Sequence, residues 1–408
     1  MQTGDAGTTA VPRDDRLVPG LALHRDSGRP LSMGFVGTYP PTKCGIATFT
    51  ASLARAMAPR GSHHRIGVVS CVDEPGVVRQ PPEVVAELVP GLSSSQEAAA
   101  AELDSFDAVV IQHEFGIFGG EDGSEVIDLV AQLRAPPIVV LHTALVRPLP
   151  NQRAIVEQLS ESAEFIVAQS VAARTCLLRA HTIDPERVRV IPHGAPANIA
   201  ARSPLREASR PPIVLTWGLI GPSKGIEFGI EAVARLRELN LAPRYVVLGQ
   251  THPRIILTHG EAYRESLIAR AYELGVDDLV EFDDCYGDTA SLLARVREAD
   301  VVLLPYRSRD QVVSGVLVEA VASGKPVVAT RFPHAEELLG QGSGILVPHE
   351  DSTAIAAALH AFFTDPELAA SVAAVARRQA PSLFWTNVGH AYRRVAATVA
   401  SARAGAAH

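Results

Sequence analysis

Short apolar runs rich in β-branched residues alternate along most of the chain with longer segments in which apolar positions recur at helical spacing. In the first half these runs predict strands at 32–36, 66–70, 108–112, 137–141, 165–168 and 188–191. The segments between them predict helices at 46–57, 124–134, 151–161 and 170–180. Residues 71–101 are less regular and predict no element. Such alternation is typical of a parallel sheet covered by helices on both faces.

The same alternation restarts after residues 194–212, a segment rich in Ala, Pro, Ser and Arg that is typical of an inter-domain linker. Beyond it, strands are predicted at 213–217, 245–249, 279–282, 301–305, 326–330 and 345–348. Helices are predicted at 225–239, 262–274, 288–298, 315–323, 352–364 and 366–378, with a closing amphipathic helix at 384–404.

The pattern therefore predicts an α/β fold made of two parallel-sheet domains. We assign residues 1–30 to a flexible tail, 31–200 to the first domain, 201–380 to the second, and 381–408 to the closing helix and tail. Ligands of open α/β sheets bind beyond the carboxyl ends of the strands, so we expect the functional site in the cleft between the two domains.

The segment 310–330 contains the strongest candidate for a ligand-binding helix start. Ser314 is a favourable N-cap, and Gly315 lets a ligand approach the backbone. The free amides and partial positive charge of a helix N-terminus suit an anion such as phosphate. Glu319 lies about one turn later among Val and Ala. It is either a solvated helix residue or a cleft residue, and the second interpretation is favoured because Glu is seldom buried unpaired.

Two glycine-containing loops follow predicted strands and precede predicted helices. Gly218 opens the loop that ends in Lys224-Gly225, where a lysine could meet a phosphate. The spacing fits neither a P-loop nor a dinucleotide fingerprint, and the alternative is a surface lysine that the helix dipole disfavours. Gly45 belongs to the loop before the first helix, and either ligand binding or a tight turn explains it.

Polar residues also follow strands in the first half. His113-Glu114 and His142 stand at strand ends, where their side chains are expected at the cleft. The alternative for each histidine is a structural role. A metal site is not expected, because His113-Glu114 lacks the second histidine of a zinc-protease motif. For His193, in Pro-His-Gly, a hinge turn is the stronger interpretation.

The composition narrows the class of protein. The 408 residues are 47% hydrophobic and carry a net charge of −8, which supports a sizeable core and argues against nucleic acid as a partner. The four cysteines are dispersed, as in a reducing cytoplasm. No apolar run approaches the roughly 18 residues that span a bilayer. We expect a soluble cytoplasmic protein. Peripheral contact with the inner membrane face remains open, and the sequence indicates no oligomeric state.

Taken together, these segments resemble the retaining glycosyltransferases of family 4, the glycosyl transferases group 1, which have the two-domain GT-B fold. The resemblance rests on the loop at Gly45, His113-Glu114, IPHG at 191–194, Gly218–Gly225, ADVVLLPY at 299–306, and SGVLVEAVASGKPVVAT at 314–330. THP at 251–253 and GEAYR at 260–264 are similar to a bacterial subgroup. The closing helix is similar to the one that crosses back to the first domain in this fold.

The resemblance implies two Rossmann-like domains facing across a cleft. It also implies a hexosyltransferase that moves mannose or glucose from a nucleotide-diphosphate sugar, with retention and without a metal or other cofactor. GDP-mannose and UDP-glucose are the expected donors, with GDP-mannose favoured. The first domain is expected to hold the acceptor, which could be a glycan, a lipid-linked sugar or a small molecule.

The resemblance also assigns roles to residues of the second domain. Glu319 matches the glutamate that takes the ribose hydroxyls, and Lys224 matches the lysine on the diphosphate. Ser314 and Gly315 match the turn whose amides meet the phosphate or the donor sugar. Gly218 belongs to the same donor-binding set.

In the first domain, Gly45 matches the glycine loop near the diphosphate, and His113 matches the histidine near the reacting sugar. His113, Lys224 and Glu319 are therefore the expected catalytic residues. Glu114 and His142 are the expected contacts to the acceptor or sugar.

Two positions depart from the family. Gln311 stands where members commonly carry a second glutamate, and Leu219 lies near a common arginine. An amide can still hydrogen-bond a hydroxyl but supplies no charge. These departures keep two alternatives open: a retaining GT-B phosphorylase that uses a sugar phosphate, and a catalytically silent sugar-nucleotide-binding protein.

Overall fold

The structure is a computed structural model that describes residues 30–77, 79–134, 136–199, 210–284 and 289–406. The predicted tail, apart from Pro30, and most of the predicted linker lie outside the described residues.

The first half contains one parallel sheet of seven strands in the order β3-β2-β1-β4-β5-β6-β7. In chain order the strands are β1 (Ser32–Gly37), β2 (Arg65–Cys71), β3 (Val84–Leu88), β4 (Ala108–His113), β5 (Ile138–Leu141), β6 (Phe165–Ala168) and β7 (Val188–Val190).

The second half repeats this arrangement in a parallel sheet of six strands, in the order β10-β9-β8-β11-β12-β13. The strands are β8 (Ile213–Trp217), β9 (Arg244–Leu248), β10 (Val280–Asp283), β11 (Val301–Leu304), β12 (Val327–Thr330) and β13 (Gly344–Val347). In both sheets the strand order reverses beside the first strand, which is the topological switch point where α/β proteins bind ligands.

Helices connect the strands of both halves. In the first half they are α1 (Gly45–Met57), α2 (Ser93–Leu103), α3 (Glu125–Gln132), α4 (Pro150–Ser162) and α5 (Val171–Ala180). In the second half they are α6 (Ile226–Glu238), α7 (Pro253–His259), α8 (Ala262–Glu273), α9 (Thr289–Glu298), α10 (Gly315–Ala322), α11 (Pro333–Leu339), α12 (Ser352–Thr364), α13 (Pro366–Leu383) and α14 (Trp385–Ala406).

The apolar runs become central strands because both faces of each sheet are covered. Along β4, Val109 and Ile111 belong to one apolar cluster, whereas Val110 packs into the cluster on the opposite face. In the second sheet Val302 and Val301 divide in the same way. Strands buried on both faces read as continuous apolar runs, which is why the sequence predicted them.

Helix α14 crosses back from the second half and packs on α1 and β4 of the first. The Arg393 guanidinium donates to the carbonyl oxygens of Ala56 and Met57 at 2.7 and 3.1 Å, at the carboxyl end of α1. Where the chain crosses, the Ala195 amide donates to the Leu383 carbonyl at 2.7 Å, and the Trp385 amide donates to the Ala195 carbonyl at 2.9 Å. The predicted fold, including this crossing helix, is confirmed.

A second contact joins the halves through α11 and α5. The Glu337 carboxylate accepts hydrogen bonds from the amides of Val171 and Ala172 at 2.9 and 2.8 Å, so a residue of the second half satisfies the first turn of a helix in the first half. The Ser170 hydroxyl caps that same turn and also donates to the Val312 carbonyl at 2.6 Å.

Several elements have no counterpart in the sequence prediction, namely β3, α2, α7 and α11. β3 is an edge strand and only partly buried, so it lacks a continuous apolar run. α2 consists mostly of serine and alanine, which give little contrast between its faces. α7 and α11 are short and start at a proline. α13 also continues to Leu383, beyond the predicted end at residue 378.

Gly389 tests the packing of α14 on α1. In an exposed helix, Gly→Ala stabilises by up to about 1 kcal/mol. A Cβ at Gly389 would lie 2.7 Å from atoms of Ala56, however, and overpacking costs about 1–3 kcal/mol. We therefore expect Gly389→Ala to lower the free energy of unfolding measured in urea. The matched control is Gly45→Ala in α1, where a Cβ meets nothing within 4 Å and little or no loss is expected. A stabilised Gly389→Ala would contradict this packing.

Candidate active site

A cleft of about 1970 Å³ lies between the two halves. It is bordered by residues that follow the carboxyl ends of strands in both sheets, such as Thr38 after β1, Glu114 after β4, Gly218 after β8 and Gly249 after β9. All predicted site residues except His113 and Ser314 line it, namely Gly45, Glu114, His142, Gly218, Lys224, Gln311, Gly315 and Glu319.

The N-terminus of α10 faces this cleft. The Ser314 hydroxyl accepts from the Leu317 amide at 3.2 Å, while the Ser314 amide donates to Nδ1 of buried His334 at 2.9 Å. Burial lowers the pKa of His334 to about 3, so its ring is a neutral acceptor. Ser314 is thus a structural cap. Among the described residues, the amides of Gly315 and Val316 have no acceptor, so they can bind an anion.

Glu319 lies one turn further along α10 and borders the cleft. The indole nitrogen of Trp217 donates to Oε2 of Glu319 at 3.1 Å, which leaves Oε1 for a ligand. Burial raises the pKa of the Glu319 carboxyl, and the hydrogen bond from Trp217 partly offsets this. The site therefore offers one oriented carboxylate oxygen to a hydroxyl donor.

Lys224 ends a short 3-10 turn that spans Pro222–Lys224. Its ammonium lies 4.1 Å from the centre of the Tyr306 ring, a cation–π contact. Among the described residues, no carboxylate lies within ion-pair distance of it. Gly225 then turns the chain into α6 with a φ of 59°. A side chain there would meet the Pro305 carbonyl at 2.1 Å, so the turn that presents Lys224 requires glycine.

Gln311 and Leu219, the two residues that depart from the family, both border the cleft and bring no charge to it. The amide nitrogen of Gln311 donates to the Val313 carbonyl at 3.0 Å, so its oxygen is the group left for a ligand. Leu219 lines the cleft beside Gly218, whose φ of 114° takes the backbone round the end of β8. Among the described residues near Gly218 and Gln311, the groups placed to meet an anion are therefore the Lys224 ammonium and the uncharged α10 amides.

His142 is held on both sides of its ring. Nε2 lies 2.8 Å from the Gln112 side-chain oxygen, and Nδ1 lies 3.1 Å from the amide nitrogen of Gln169. Because the Gln112 oxygen only accepts, Nε2 carries the proton and Nδ1 accepts from Gln169. Burial, together with the neighbouring His193 and His113, lowers the pKa of His142 to about 3. His142 is therefore a fixed neutral ring, and Glu114 beside it accepts a hydrogen bond from Thr143.

His113 is the predicted residue that the structure places away from the cleft surface. Its ring is fully buried, stacked on Phe118 at 6.2 Å and edge-on to Phe115 at 5.0 Å. Neither ring nitrogen has a hydrogen-bond partner, and burial lowers its pKa to about 4. Contact between His113 and a substrate stays a prediction.

Sequence reasoning gave no site role to several residues that shape the cleft. Trp217 orients Glu319, Tyr306 lies under Lys224, and Trp385 closes the floor where the halves meet. Trp217 is the last residue of a buried strand, which is the signal that could have found it. Tyr306 carries no such signal, because its contact with Lys224 depends on how two separate loops approach each other.

Among the described residues, no cluster of three metal-binding side chains is present. Within the same residues, no helix has the length and apolarity needed to cross a bilayer.

Ser314→Ala tests the cap of α10. Loss of a side-chain N-cap costs about 1 kcal/mol, so we expect a matching fall in the free energy of unfolding in urea. The control is Asp351→Ala, which removes the cap of α12, where Asp351 accepts from the Ala354 amide at 2.8 Å. We expect similar losses for the two variants. If only Asp351→Ala is destabilised, the hydrogen bond from the Ser314 amide to His334 holds the α10 turn without the serine hydroxyl.

Residues 198–379 match the family model described as Glycosyl transferases group 1. A D-inositol 3-phosphate glycosyltransferase of Kineococcus radiotolerans is 30% identical over 275 residues, which cover 60% of this chain and 61% of that protein. One of Saccharomonospora viridis is 32% identical over 251 residues, covering 58% and 56%. The match thus spans less than two thirds of the length of these curated relatives.

Solved structures share the fold at low identity. Anabaena HepE in complex with UDP superposes with a TM-score of 0.71 at 19% identity, covering 90% of this chain and 100% of that one. Sucrose-phosphate synthase from Thermosynechococcus elongatus gives a TM-score of 0.71 at 17% identity, covering 91% and 100%. Residues 198–379 therefore match the glycosyl transferases group 1 family, and the chain as a whole has the GT-B fold.

Proposed function

We propose that this protein is a retaining glycosyltransferase that moves a hexose from a nucleotide-diphosphate sugar to a hydroxyl of an acceptor. The observation that carries the proposal is the grouping of Lys224, Glu319 and the free amides of Gly315 and Val316 in one cleft. This set combines a cation, helix-terminal amides and an oriented carboxylate, which are the groups that a diphosphate and a ribose need.

In this proposal Oε1 of Glu319 accepts from a ribose hydroxyl, while Trp217 holds the other carboxylate oxygen. Lys224 and the α10 amides stabilise the negative charge that develops on the departing diphosphate. In binding the diphosphate, Lys224 moves away from the Tyr306 ring. It then loses part of its cation–π contact and gains a charge-assisted hydrogen bond to a phosphate oxygen. A leaving-phosphate oxygen takes the proton of the acceptor hydroxyl, and closure of the cleft keeps water out.

UDP-glucose is the donor we propose to test first, although the sequence alone favoured GDP-mannose. HepE has been solved with UDP and with UDP-glucose, and it shares this fold. The curated relatives are named for D-inositol 3-phosphate, which supports a small phosphorylated polyol among the acceptor classes. Glu114 and the first-half residues near Gly45 would border that acceptor.

The function is tested by incubating the protein with UDP-glucose or GDP-mannose, with and without a panel of polyol and glycan acceptors. We expect acceptor-dependent release of a nucleoside diphosphate, and a melting temperature that the same diphosphate raises. Phosphate-dependent breakdown of a glycoside without nucleotide would instead identify the phosphorylase alternative. Nucleotide binding without turnover across the panel would identify a silent binding protein.

Two variants distinguish the proposed contact of Lys224 with the diphosphate from that of Glu319 with the ribose. Lys224→Met should lower kcat by about 10²–10³, the usual cost of removing one transition-state charge contact, and should leave uridine affinity unchanged. Glu319→Gln should weaken uridine and UDP alike by roughly tenfold, because a charged acceptor is lost from a hydrogen bond to the ribose. Turnover and isothermal titration measure the two effects.

Arg378→Met and Glu336→Gln are the matched controls, since both side chains are exposed and neither borders the cleft. Turnover by Lys224→Met at the parent rate would remove Lys224 from the proposal. Parent-like uridine affinity in Glu319→Gln would remove the ribose contact.

A further inference from the structure

His193 lies at the floor of the cleft and has no role in the proposed reaction so far. It follows β7 at the point where the chain leaves the first half, and its ring lies against the first residue of α10. A Cβ added at Gly315 would stand 2.8 Å from Nε2 of His193, so this nitrogen lies directly beside the ligand-binding end of α10. His193 also lines the cleft.

The hydrogen bond on the other side of the ring fixes its tautomer. Nδ1 of His193 lies 2.7 Å from the Gly194 carbonyl oxygen. A carbonyl oxygen only accepts, so Nδ1 carries the proton and Nε2 of the neutral ring is left as an acceptor. Among the described residues, Nε2 has no hydrogen-bond partner. The cleft floor thus presents one lone pair next to the free amides of Gly315 and Val316.

Aromatic packing keeps this ring in place. Phe49 of α1 meets it edge-on at 5.0 Å, and Trp385 of α14 lies at 5.7 Å. Gly194 allows the approach, because a side chain there would stand 2.1 Å from the Trp385 ring. Burial lowers the pKa of His193 to about 4, which keeps the ring neutral near pH 7.

One hydrogen-bond acceptor, Nε2 of His193, lies beside two hydrogen-bond donors, the amides of Gly315 and Val316. This arrangement limits which chemical group can bind there. A diphosphate oxygen can accept from the amides of Gly315 and Val316, but it carries no proton at neutral pH to give to Nε2. A hydroxyl can accept from an amide and donate to Nε2 at once. The group that satisfies both sides is therefore a hydroxyl attached next to the diphosphate, as on a sugar.

We propose that His193 selects the transferred hexose, because its Nε2 accepts a hydrogen bond from one hydroxyl of the donor sugar. This inference rests on the proposed function and deepens it: the nucleotide is bound by Glu319 and Lys224, whereas the sugar is recognised by His193. Hexoses that lack the contacted hydroxyl leave Nε2 unpaired and are poor donors.

The test compares His193→Phe, which keeps an aromatic ring but has no acceptor, with His193→Gln, whose amide oxygen can reach the position of Nε2. UDP and a series of monodeoxy UDP-hexoses are titrated calorimetrically and assayed for turnover. The parent should discriminate against one deoxy donor by roughly tenfold or more. His193→Phe should lose that discrimination, bind UDP with parent affinity and keep its melting temperature. His193→Gln should recover part of it.

The outcomes separate the two proposals. An undiminished deoxy-sugar penalty in His193→Phe, or an equal loss of affinity for UDP and UDP-hexose, overturns the role of His193 while the transferase proposal stands. A parent protein that binds neither UDP nor any UDP- or GDP-hexose overturns both.

Discussion

The capped first turn of α10 is the constraint on which the rest of the site depends. The Ser314 hydroxyl and the His334 ring fix the turn, so that two amides remain directed into the cleft rather than being satisfied internally. Glu319 follows at helical spacing, where Trp217 can hold one of its carboxylate oxygens. His193 closes against Gly315 from the other half. A shift of this turn would displace the proposed phosphate, ribose and sugar contacts together.

Few charged side chains take part in the proposed binding of the diphosphate. The chain has a net charge of −8, and the two neutral residues Leu219 and Gln311 stand where charge was expected from the family. The contacts proposed for the diphosphate are therefore one lysine and backbone dipoles. Backbone amides are fixed before the ligand arrives, so they need no reorganisation as charge develops. His142, His193 and His334 stay neutral because burial disfavours their charged form, and they contribute direction rather than charge.

The fold could be predicted from the sequence because both sheets are buried on both faces. Each central strand is therefore a continuous apolar run, which is easily recognised. The sequence also placed Gly45, Lys224 and Glu319 at the cleft, since residues at strand ends and helix starts meet there. It did not indicate that the Ser314 amide pairs with His334, that His113 lies under Phe115 and Phe118, or that His193 has a defined tautomer. Those facts depend on side chains that are distant in sequence, and local patterns carry no information on such contacts. The edge strand β3 was missed for a related reason, because partial burial leaves no apolar run.

Two of the contacts that join the halves also limit how the molecule can move. The backbone pair at Ala195 and the Glu337 cap on α5 lie at separate places on the boundary. Any relative motion that preserves both is a rotation about the line between them, and sliding of one half along the other is excluded. His193 is two residues from one end of that axis. Its distance to Gly315 is therefore nearly independent of the opening angle, whereas the loop at Gly45 swings through a wider arc. The cleft can therefore open by rotation about this axis while His193, with its proposed sugar contact, stays beside Gly315.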